Sequence, residues 1–162
     1  MNYYELFELD VTAVADKTFV SKKYIELQKK FHPDFFTNEN EADKENALEQ
    51  SAAINKGFNI LSNKEKTIEY FLEIKGIITA DEKYHLPPDF LMEMMELNEA
   101  IDEDNTNTVK QINAFENALN NDVSQLLLKG NSISLPEEDL QKLKEYYYKK
   151  KYLKRILDRL DD

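Results

Sequence analysis

The sequence predicts an all-α protein in two parts, a helical hairpin with a sharp bend followed by a three-helix bundle. Three observations carry this. Apolar residues recur at three- and four-residue spacing along most of the 162-residue chain, the mark of amphipathic helices. Three Gly and four Pro are too few for the turns of an all-β fold. A hydrophobic content of 41%, with nine Phe and nine Tyr, supplies enough apolar surface for real cores.

Taken in order, Tyr3 to Leu9 fits a short first helix. The second runs from Lys17 to about Phe31, with Val20, Tyr24, Leu27 and Phe31 on one face. At about 100° per residue, Lys22 and Lys29 fall opposite that stripe, and Lys23 and Lys30 lie on its flank. The stretch "QKKFHPDFFTNEN" then ends the helix near His32, because Pro33 pushes the residue before it out of the α region. A third helix spans about Glu41 to Leu61 and is expected to bury Ala47, Leu48, Ile54, Phe58 and Leu61. A fourth, from Lys64 to Lys75, stops at Gly76, a natural residue for the left-handed turn beyond a helix end.

The segment "GIITADEKYHLPPDF" breaks the pattern and divides the chain into 1–76, a junction at 77–88, and 89–162. Pro88 opens the next helix, to about Glu103. Another runs from Thr108 to Lys129, with Val109, Ile112, Phe115, Leu119, Val123 and Leu126 inward and Gly130 as its stop. The last begins at Pro136, capped by Ser134, and continues to Leu160 through Leu140, Leu143, Tyr147, Leu153 and Leu157. Short connections make these three an antiparallel bundle.

Several functions are excluded or disfavoured. Without cysteine there is no disulfide, no thiolate nucleophile and no cysteine-held metal cluster. The two histidines, His32 and His85, stand far apart with no nucleophile beside them, and the three glycines form no phosphate-cradling loop. No catalytic residue, cofactor or metal is therefore expected, and the protein is read as a non-enzyme. A formal net charge of −11 repels nucleic acid and anionic membranes. No signal peptide or apolar span is evident, so the expected location is cytoplasmic. The run "EYYYKKKYLKR" reads as the solvated face of the last helix rather than a nucleic-acid stacking site.

Two surfaces stand out against this acidic background. Between Lys17 and His32 the chain carries Lys17, Lys22, Lys23, Lys29 and Lys30 against one acid, Glu26. In the first bundle helix, with Met92 set at 0°, Phe90, Met94, Leu97 and Ile101 cluster between about 140° and 200° as a core stripe. Met95, Glu96, Glu99 and Glu103 fall within about 60° of Met92 on the other side, with Leu91 at the edge. An apolar patch continued by carboxylates is suited to a basic partner.

A basic amphipathic helix, His-Pro-Asp, a polar loop and a long helix ending "INKGFNILSN" together resemble the J-domain, as does the opening "YYELFEL". The resemblance covers about Asn2 to Tyr70. It implies binding to a DnaK-type ATPase chaperone and stimulation of ATP hydrolysis. His32, Pro33 and Asp34 would form the triggering bend, and Lys22, Lys23, Lys29 and Lys30 would dock on an acidic face. "QSAAINKGFNIL", "IEYFLEIKG" and "PPDFLMEMMELNEAIDE" extend the likeness over the whole chain to the HscB-type (Jac-type) co-chaperones of iron–sulfur cluster assembly. That family implies delivery of an IscU-type cluster scaffold to an HscA- or DnaK-type chaperone. It also implies a scaffold-binding face at Leu91, Met92, Met95, Glu96, Glu99 and Glu103, with Tyr146 or Tyr148 bordering it. Two departures stand out: Lys64 and Thr67 occupy positions where the family often has proline and arginine, and the cysteine-rich module of some members is absent. The alternatives are a J-protein with another client, or a general holding chaperone for unfolded chains.

Overall fold

The computed structural model describes residues 1–128 and 135–160, and among these it contains seven α-helices and no strand. They are α1 (Tyr3–Leu6), α2 (Lys17–Phe31), α3 (Glu41–Leu61), α4 (Lys64–Ile74), α5 (Pro88–Ala100), α6 (Asn105–Leu128) and α7 (Glu137–Leu160), with one 3₁₀ turn, Pro33–Phe36, between α2 and α3. The described chain forms two compact units that divide at Phe71/Leu72.

Local chemistry accounts for most helix ends. Asn2 caps α1 in a reciprocal arrangement with Glu5, and the Asp16 carboxylate accepts from the N–H groups of Thr18 and Phe19 at the start of α2. Asn40 caps α3, and the Asn63 side chain accepts from the Lys66 N–H at the start of α4. Gly76 has φ +71°, the left-handed conformation expected of it beyond α4. The expected stop at Gly130 and cap at Ser134 lie outside the described residues.

In the first unit, α2 and α3 pair antiparallel. Tyr24 packs on Phe58 with ring centroids 4.3 Å apart, while one turn further along α2 Gln28 reaches Asn55 and Ser51. Tyr4, Phe7, Val20, Leu27, Ile54 and Leu61 form the core under this pair. Gly57 is in the middle of α3 for a steric reason: a Cβ there would come within 2.7 Å of the Phe7 ring. Tyr4 is fully buried with its hydroxyl donating to the Thr12 carbonyl at 2.7 Å, and burial pushes its phenol pKa well up. Thr67, standing where the related family often has another residue, is buried in the first turn of α4. Its hydroxyl lies 2.8 Å from the carbonyls of both Ile60 and Asn63.

Two expectations fail here. Leu48 is 60% exposed, because it sits about 100° around α3 from the stripe of Ala47, Ile54 and Phe58. Lys23 does not belong to a free cationic strip. Its ammonium lies 2.7 Å from Glu8 and 3.5 Å from Glu26, and its side chain is almost wholly covered. Glu8 reaches it from a backbone with φ +55°, so one strained residue beyond α1 is tied to α2. The hydrogen bond from Lys23 holds the Glu8 carboxyl below its usual range, and the same bond raises the Lys23 ammonium.

In the second unit, α6 runs antiparallel to both neighbours. Tyr146 and Lys150 of α7 meet Asn120 and Glu116 in reverse order, and Phe90 and Ala100 of α5 meet Phe115 and Thr108 in reverse order. The core holds Phe90, Met94, Ile112, Leu119, Val123, Leu140, Leu143, Tyr146, Leu153 and Ile156. Tyr146 rather than Tyr147 fills the α7 stripe, and its hydroxyl donates to Asn120 at 2.7 Å. The segment 77–88 is held against α7: Lys144 and Tyr148 bond the Glu82 carboxylate at 2.7 and 3.1 Å, and Tyr84 stacks on Tyr148 at 4.5 Å. The Lys144 hydrogen bond draws the Glu82 carboxyl below its usual range despite partial burial. Leu143, fully buried, is the direct probe of this core. Leu143→Ala should destabilise the protein by about 2–5 kcal/mol through the cavity it leaves, read from denaturant unfolding.

Candidate partner-binding surfaces

The bend is built by three adjacent constraints. Lys29 and Lys30 occupy the last turn of α2, where cations complement the partial negative charge of a helix end. His32 follows as the C-terminal cap with φ −62° and ψ 132°, the extended conformation that a following proline imposes. Pro33 then begins the 3₁₀ turn, and the Phe35 N–H closes it on the His32 carbonyl at 3.0 Å.

The His32 imidazole is fixed by its own turn. Its Nδ1 accepts from the Asp34 N–H at 3.2 Å, and the Asp34 carboxylate lies 3.6 Å from the same nitrogen. An accepting Nδ1 places the neutral ring's proton on Nε2, which leaves that edge as a donor for a partner. The Asp34 side chain is 85% exposed, a carboxylate suited to a bidentate arginine. Lys22, Lys29 and Lys30 are exposed on α2, while Lys23 is engaged as described.

Ile25 and Phe35, both more than half exposed, stand beside the bend and were not singled out from sequence. Ile25 carried a signal, since it lies about 140° from Val20 on an otherwise polar face. A groove of about 430 Å³ runs between them along α2 and α3.

The second surface is on α5. Phe90, Met94 and Ile101 are buried as expected, and Met92 and Met95 are 62% and 59% exposed. Glu96 and Glu99 are exposed on the same side. Leu91 is half-buried rather than open, and Leu97 is only partly buried. Glu103 is exposed but lies beyond α5, which ends at Ala100 instead of continuing to Glu103, so helical phase no longer places it beside Glu99. Arg159 of α7 bonds Asn98 and Asp102 at this end of the helix. A depression bordered by Glu93, Glu96 and Gln111 adjoins the face and adds a carboxylate not anticipated from sequence. Among the described residues there is no cluster of His, Cys, Asp or Glu able to hold a metal ion. No described helix is long and apolar enough to cross a membrane.

An antiparallel α2–α3 pair with an exposed His-Pro-Asp at its turn defines a J-domain protein, here with a second helical unit attached. The known proteins agree. The DnaJ domain matches residues 2–70, and the HSCB C-terminal oligomerisation domain matches 86–161. The co-chaperone protein HscB of Buchnera aphidicola is 38% identical over 119 residues, 72% of this chain and 68% of that one. An HscB homologue of Vibrio cholerae is 39% identical over 103 residues, and there the match spans 60% of the relative's length. The solved structure of chaperone HscB from Vibrio cholerae superposes with a TM-score of 0.73 at 26% identity, covering 99% of this chain and 96% of that one. The chain belongs to the HscB family of J-domain co-chaperones.

Proposed function

We propose that the chain stimulates ATP hydrolysis by a DnaK/HscA-type chaperone and delivers to it an IscU-type iron–sulfur cluster scaffold, so aiding cluster transfer. The observation that carries this is the exposed bend, with His32 oriented by Asp34 at the end of a helix bearing Lys22, Lys29 and Lys30. Such a bend offers an acidic ATPase three things at once: steering charge, a ring N–H donor and a free carboxylate. Membership of the HscB family supports the client half of the reading. The exposed Met92 and Met95 with Glu96 and Glu99 supply adaptable apolar anchors beside carboxylates, fitting a partner with a basic rim.

The steering charges give a direct test. Reversing Lys22 and Lys29 to Glu should weaken chaperone binding by about 1–3 kcal/mol in total, between the values of exposed and desolvated pairs. Wild-type affinity should fall as salt rises through the range that screens surface charge. Titration of the labelled protein with chaperone at several salt concentrations measures both. Binding indifferent to the reversals and to salt would remove the steering role.

A further inference from the structure

The chain has four methionines and no cysteine, so thioethers are its only oxidisable sulfurs. Three of the four stand together on α5, and the helix sorts them by exposure. Met94 is fully buried in the core of the second unit. Met92 and Met95, three residues apart and therefore neighbours on one face, are open to solvent. The fourth, Met1, is exposed at the start of the chain. Residues 2–91, which include the bend and the lysines of α2, contain no sulfur. The two accessible sulfurs of α5 thus coincide with the two apolar anchors of the proposed scaffold face.

We propose that Met92 and Met95 form a reversible oxidation site at which hydrogen peroxide switches off client docking. The inference rests on the scaffold reading and adds its regulation. The step is a two-electron oxygen transfer. A lone pair on Sδ attacks one oxygen of the peroxide, and the O–O bond breaks as the S–O bond forms. The proton of the transferred hydroxyl passes to the departing oxygen, which leaves as water. Sulfur is oxidised to the sulfoxide and the peroxide is reduced. Sulfoxide reductases run the change back, two thiols becoming a disulfide while the oxygen leaves as water. Three features select this site. Solvent access orders the reaction, Met92 and Met95 before the buried Met94. Hydrogen peroxide is neutral, so Glu96 and Glu99 beside the sulfurs do not repel it as they would an anionic oxidant. The product is a dipolar group that loses its hydration if it enters the apolar contact made by the thioether. Because the two sulfurs are neighbours, both penalties fall on one contact. A bound scaffold covers them, so the switch acts on the free chain.

The test oxidises the full chain with hydrogen peroxide, removes the peroxide with catalase, and only then adds an IscU-type scaffold, so that oxidant never meets the scaffold. Peptide mass mapping should find one added oxygen on each of Met92 and Met95 and none on Met94. The dissociation constant for scaffold should rise about tenfold or more. Melting temperature and scaffold-free ATPase stimulation should stay near wild type. Treatment with the two stereospecific sulfoxide reductases and a dithiol should restore binding. Met92→Leu/Met95→Leu keeps apolar anchors of similar size and should bind scaffold equally well with or without peroxide treatment. Unchanged affinity of the oxidised wild type, with Met92→Ala/Met95→Ala still impaired, overturns the switch and leaves the docking face intact. An equal loss in the leucine variant, or oxidation of Met94 with early melting, also overturns the switch. Failure of the unoxidised chain to bind scaffold overturns the scaffold reading and the switch with it.

Discussion

His32→Gln and Asp34→Asn should each abolish ATPase stimulation while leaving helix content and the melting temperature close to wild type. The Asp34 side chain is largely exposed and that of His32 about half exposed, and neither contributes to the Tyr4–Phe7–Val20–Leu27–Ile54–Leu61 core, so little folding energy is at stake. The loss is functional because each change removes one element of a coupled pair. Glutamine lacks the imidazole ring that accepts from the Asp34 N–H and holds Nε2 outward. Asparagine keeps the shape of Asp34 but not its charge, and a charge-assisted pair is about twice as strong as a neutral one. Circular dichroism, thermal melting and steady-state hydrolysis by the chaperone measure the three quantities. Full stimulation by either folded variant would remove the triggering role of the bend.

The second large effect falls on the other unit. Replacing Met92 and Met95 together by Ala should reduce scaffold affinity by roughly 2–4 kcal/mol, since apolar anchors near an interface centre carry most of its energy. Stability should change little, because both side chains are mostly solvent-exposed and point away from Phe90, Met94 and Ile101. Leu91 is left intact in this design: being half-buried, its truncation would mix a stability loss with a binding loss. ATPase stimulation without scaffold should survive the double change. A variant that melts far earlier than wild type would show the methionines to be core, and normal scaffold binding would place the client elsewhere.

Much of this was legible because helices declare themselves locally. The α2 stripe, the stop at Pro33, the turn at Gly76 and the opposed core and open faces of α5 all follow from spacing and backbone preference. What escaped the sequence depends on partners distant along the chain. Lys23 lies only on the flank of the α2 stripe, and nothing local reveals that Glu8, fifteen residues earlier, takes its charge. Tyr146, Tyr147 and Tyr148 are chemically alike, and burial of the first is decided by Leu143, Leu153 and the waiting Asn120. The hydrogen bonds from Tyr24 and Gln28 to Asn55 join α2 to α3 through polar groups, which hydrophobic periodicity does not register. Leu48 and Ile25 were readable from their angles, as apolar residues lying off their stripes.

The central claim is that one chain carries two independent docking surfaces, one per unit. Sedimentation of the protein with ATP-bound chaperone and scaffold protein, separately and together, tests it directly. One species containing all three is expected, in which Lys22→Glu/Lys29→Glu lowers only the bound chaperone and Met92→Ala/Met95→Ala lowers only the bound scaffold. Mutual displacement of chaperone and scaffold, or loss of both partners from either variant, would contradict it.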